Sequence, residues 1–78
     1  MLTEAEKRRL AELYSIGYEK FFAESAAAEK ARRELAEFLE ELHQRECPHQ
    51  PLREFRLGCV RMAKLWLKAN DPRYPFLH

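Results

Sequence analysis

Apolar residues recur at helical spacing through the first half of the chain. Leu10, Leu13, Tyr14, Gly17, Phe21, Ala28, Ala31, Leu35, Phe38, Leu39 and Leu42 share one stripe when each residue turns by ~100°. Glu, Lys and Arg fill the opposite side, so residues 3–45 read as amphipathic helix. Thr3 and Glu6 have capping-box spacing, in which hydroxyl and carboxylate each take an orphan backbone N–H, and this predicts the helix start. The stripe keeps its phase across Glu24 and Ser25, as one continuous helix would. Ser25 can equally cap a new helix with Glu29 in its first turn, so a break near residue 25 stays open.

Pro48 and Pro51 end the pattern and bias Cys47 and Gln50 toward extended backbone, which predicts a reversal over residues 46–51. The stripe resumes with Leu52, Phe55, Cys59, Met62, Ala63, Trp66 and Leu67, predicting a helix over 52–69 with Asn70 as a left-handed C-cap before Pro72. A short tail over 70–78 follows, carrying Tyr74, Phe76 and Leu77.

Folding the last helix back antiparallel would set Leu52 and Phe55 near Leu42 and Phe38, Cys59 near Phe38 and Leu35, and Trp66 on the small residues Ala28 and Ala31. Trp66 would then be the most costly core residue to truncate. An uninterrupted first helix would span ~65 Å and the last only ~27 Å, leaving Leu10, Leu13, Tyr14, Ile16, Phe21 and Phe22 uncovered. Either the helix breaks and folds back, or a second chain covers it. The expectation is a single all-α domain over 1–78: an antiparallel helical hairpin or three-helix unit, completed by homodimerisation through Leu10, Tyr14, Phe21 and Phe22.

Composition narrows the classes. The two glycines and four prolines in 78 residues disfavour β-rich and disordered alternatives. Fourteen Lys+Arg against thirteen Asp+Glu give a net charge of +1, too little for long-range steering toward nucleic acid or a membrane surface. No apolar run is long enough to span a bilayer, and Met1 to Lys7 lacks the basic-then-apolar order of a signal peptide. A cytoplasmic chain with two free thiols is expected.

Candidate chemistry is sparse. His43, Cys47 and His49, with Cys59 further on, are the only set of metal-ligand types, but Cys59 falls ~10 Å from the turn along its helix, too far for tetrahedral zinc or an easy Cys47–Cys59 disulfide. No metal and no cofactor is expected, and a metal- or redox-sensing role at Cys47 is the second alternative. Ser15, Ser25 and Thr3 lack a catalytic setting, and Glu37, Glu40 and Glu41 read as surface charge paired with Arg33 and Arg45, so the chain is not expected to be an enzyme.

The charge is unevenly divided. Residues 1–46 hold eight Lys+Arg against eleven Glu, whereas residues 47–78 hold six against Glu54 and Asp71. Arg53, Arg61, Lys64 and Lys68 form a basic ridge on the last helix. Leu57 and Leu65, eight residues apart, interrupt it as an apolar pair with a cationic rim. A further helix covering that side is the bland account; a protein partner with an acidic surface is the functional one. Tyr74, Phe76 and Leu77 of the tail are expected to lie back on the hairpin or its mate, or, as the alternative, Tyr74 and Phe76 serve as additional anchors for the partner. The expected function is a small protein-binding adaptor, inhibitor or accessory subunit. A helical nucleic-acid-binding regulator using the basic ridge is the first alternative.

Overall fold

The computed structural model describes residues 2–18 and 26–70, which form three helices: α1 (Glu4–Tyr18), α2 (Ala26–Glu46) and α3 (Leu52–Asn70). Helix α1 opens with the capping box the sequence predicts. The Thr3 N–H donates to Glu6 Oε1 at 3.0 Å and the Glu6 N–H to Thr3 Oγ1 at 3.1 Å. The undivided first helix is excluded, because α1 and α2 pack against each other as antiparallel partners.

Two contacts set that register. Near the start of α1, Glu6 receives Arg45 from the last turn of α2, with Arg45 Nη1 donating to Oε2 at 2.6 Å and Nη2 to Oε1 at 3.0 Å. At the other end, Arg32 Nη1 donates to the Gly17 carbonyl at 2.7 Å. Helix α1 has no basic residue in its last turn, and Arg32 supplies from α2 the cation that a helix C-terminus favours. Arg45 is therefore committed to Glu6, with a longer contact to Glu46, and not to Glu41 one turn earlier as the sequence spacing suggested.

The α2–α3 turn is closed by backbone and side chain together. The Cys47 N–H donates to the His43 carbonyl and the Gln50 N–H to the Cys47 carbonyl, each at 3.0 Å. The His43 ring meets the Gln50 carbonyl through Nε2 at 2.6 Å and lies against Phe55. Pro51 precedes α3, and its carbonyl accepts the Phe55 N–H.

Helix α3 places Phe55, Cys59, Ala63 and Leu67 in the core, four residues apart, alongside Leu10, Ala11 and Leu13 of α1 and Leu35, Phe38, Leu39 and Leu42 of α2. Its main partner is α1 and not, as the hairpin reading had it, α2. Trp66 accordingly sits beside Ala5, Arg8, Arg9 and Glu12 of α1, at the opposite end of that helix from Ala28 and Ala31, and is only half-buried. It flanks the core instead of forming its centre. Asn70 remains helical and no described residue has positive φ, so the expected left-handed cap is replaced by Asn70 Nδ2 donating to the Trp66 carbonyl at 2.9 Å.

Leu10 is 1% exposed within one chain, which removes it from the expected dimer interface. The reason is the fold-back: α2 and α3 supply the cover that a second chain would otherwise have provided. Phe21 and Phe22 lie outside the described residues, as do Tyr74 and Phe76 of the tail.

Candidate functional site

The metal-ligand residue types of the sequence are not brought together among the described residues: no group of three His, Cys, Asp or Glu side chains there is placed to hold a metal ion. His43 is engaged with the Gln50 carbonyl, His49 is exposed in the turn, and both cysteines are free. Burial pushes the Cys59 thiol up to about 11, with the neighbouring Cys47 adding to the shift, so Cys59 stays protonated and is a poor ligand or nucleophile near neutral pH. Ser15 is buried in α1, and Thr3 is held by the capping box.

The chain does leave an apolar groove open. It encloses about 610 Å³ where the end of α1, the middle of α2 and the beginning of α3 meet. Leu35 and Leu39 of α2, both buried and one helical turn apart, form its floor. One wall is Tyr14 and Tyr18, whose rings stack with centroids 5.7 Å apart and planes inclined by 25°. Arg32 stands over the Tyr18 ring at 6.0 Å, so the guanidinium that caps α1 also steadies the ring. The other wall is α3, through Leu52, Leu57 and Val60, with Arg53 and Arg56 at its border.

Exposure concentrates at the mouth of this groove. Tyr18 and Leu57 are 54% and 58% exposed, and Leu65, at 63%, is the remaining large exposed hydrophobic among the described residues. Among the described residues no helix covers Leu57 and Leu65, so the bland account of that side of α3 is not met there. The two leucines also do not act as one patch, since an eight-residue step leaves a rotation of ~80°. Leu57 opens onto the groove and Leu65 does not.

Of the expected cations, Arg61, Lys64 and Lys68 are exposed on α3 away from the groove lining. Tyr14, expected from sequence at a dimer interface, lines the groove. Tyr18, Leu35, Leu39, Leu52, Arg56 and Val60 were not singled out as site residues. Only the recurrence of Leu52, Arg56 and Val60 at four-residue intervals, along the border between the core stripe and the basic ridge, could have marked a third face of α3. Among the described residues no helix is long and apolar enough to cross a membrane. Comparison with known protein families, with curated proteins and with solved structures finds no match to this chain.

Proposed function

We propose that this chain is a small non-catalytic protein-binding module, acting in the cytoplasm, that takes an apolar segment of a partner into the groove between α1 and α3. The observation carrying this reading is the groove itself: an aromatic wall, an aliphatic floor and an exposed leucine at the mouth, where among the described residues the other large hydrophobics, Leu65 aside, are buried or half-buried. Stacked tyrosines beside arginines are the residue types that dominate binding energy at protein interfaces. Association with a second copy is the narrower form of this reading and would run through Tyr14, with Leu10 excluded.

The test is site-specific crosslinking. A benzophenone side chain placed at Leu57, Leu65 or Arg33 is irradiated in native extract and the adducts are identified by mass spectrometry. Adducts to one protein from position 57, absent from position 33 on α2, are expected. Adducts to nucleic acid alone, or none from position 57, would overturn the reading and leave the basic ridge as the remaining surface.

A further inference from the structure

We infer that the groove is built for an amphipathic α-helix with carboxylates along its edge, and that Arg53 and Arg56 select it. This rests on the protein-binding reading and adds the chemistry of the partner. The first argument is backbone satisfaction. A bound segment must pair its N–H and C=O groups once the apolar groove strips its water, and a strand would need a sheet edge to do so. The three helices offer none, whereas a helical guest pairs its backbone internally.

The second argument is dimension. From Leu52 to Val60 the α3 wall rises ~12 Å, room for about two turns of guest helix. Apolar residues of the guest at i, i+3, i+4 and i+7 would meet Leu35 and Leu39 on the floor and Tyr18 and Leu57 at the mouth.

The third argument is charge. Arg53 and Arg56 are exposed and make no ion pair among the described residues. They stand three residues apart on one helix, ~4.5 Å along its axis, the spacing of carboxylates at i, i+3 or i, i+4 on a second helix. Nucleic acid would meet the arginines but gain nothing from the aliphatic floor, and a membrane surface does not enter a concave site. The acidic face of α2, with Glu37, Glu40 and Glu41 exposed, makes a second copy of this chain the natural competitor.

The experiment uses a fluorescein-labelled, hydrocarbon-stapled peptide of about 14 residues, stapled because so short a helix is marginal in water. It carries Leu at i, i+3, i+4 and i+7 and Glu on both flanks, with a Lys-flanked twin, and both are titrated by anisotropy against the full chain and its R53E/R56E double variant. The wild type should prefer the acidic peptide by about tenfold, as two rim ion pairs replaced by two repulsions imply, and the double variant should reverse that order while keeping its helical circular dichroism. Equal binding of the two peptides, or no binding of the acidic one, would overturn the proposal. So would a wild-type dimer that the same charge reversal dissociates, or binding of duplex DNA alone. A position-57 crosslink to a cellular protein alongside a failed peptide titration would leave the binding module standing and remove only the acidic helix.

Discussion

Arg32 occupies the space that a side chain at Gly17 would need. A Cβ built on Gly17 would lie 2.9 Å from Arg32 Cγ and 3.3 Å from the Arg32 backbone nitrogen, while Arg32 Nη1 holds the Gly17 carbonyl at 2.7 Å. Here glycine permits close approach of two helices and is not needed for an unusual φ, since no described glycine has a positive one. Gly17→Ala would gain up to ~1 kcal/mol in helix propensity, and less so near a helix end. It would lose a charge-assisted hydrogen bond worth ~1.5–3 kcal/mol as Arg32 is displaced. A net loss of about 1 kcal/mol is expected, read as a fall in Tm of ~4–8 °C. An unchanged or raised Tm would show that α2 retreats without cost.

The Glu6–Arg45 pair ties the first turn of α1 to the last turn of α2, and it titrates. Hydrogen bonding from Arg45, then from the Thr3 backbone, lowers the Glu6 carboxyl from about 4.5 to about 2. A carboxyl with a lowered folded-state pKa contributes stability above its unfolded value and loses it as pH falls through the folded one. The urea midpoint of the wild type should therefore fall between about pH 5 and pH 2, and Glu6→Gln should lower the midpoint at pH 7 and flatten that fall. Parallel pH profiles for the two proteins would show that the pair is not coupled to folding.

Leu10, buried at 1%, touches the core from the middle of α1, and Leu10→Ala should cost ~2–5 kcal/mol. Trp66 is larger but only half-buried at the α1–α3 margin, so Trp66→Ala should cost less and retain a cooperative transition. Denaturant titrations of the two variants rank them directly. If Trp66→Ala is the more destabilising, the indole is a central core residue after all and α3 packs differently.

The half-buried place of Trp66 shows where sequence reasoning reached and where it stopped. Local chemistry was readable: the Thr3–Glu6 cap, the proline-bounded turn and the Phe55, Cys59, Ala63, Leu67 line all depend on residues within a few positions of one another. Which helix α3 would choose was not, because alanines on α1 and α2 offer equally shallow surfaces for a large side chain. The break before α2 was undecided for a related reason, since a stripe that stays in phase cannot reveal a fold-back. The groove was missed because Leu35 and Leu39 look like ordinary core from sequence. Only the relative placement of three helices leaves space above them.

The cysteines should react in sequence. Cys47, half-buried in the turn, should be modified by a disulfide reagent in the native state. Cys59, buried and held protonated by that burial, should wait for opening of the fold. Stopped-flow labelling should show two phases, with Cys47→Ser removing the fast one. A single fast phase for both thiols would mean that α3 detaches readily from α1.

Leu57 and Leu65 form a matched pair of surface residues with opposite expected consequences. Both are more than half exposed, so Leu57→Glu and Leu65→Glu should each leave the denaturation midpoint within ~0.5 kcal/mol of wild type. At the groove they part. Leu57→Glu places a carboxylate at the mouth beside Arg53 and Arg56, where it neutralises the cations and repels an acidic guest, so affinity for the Glu-flanked peptide should drop by tenfold or more, about 1.4 kcal/mol. Leu65 does not line the groove, and Leu65→Glu should bind that peptide as the wild type does. Equal losses in both variants would extend the binding surface along the whole exposed face of α3. They would restore the continuous leucine-and-cation ridge that the sequence alone suggested.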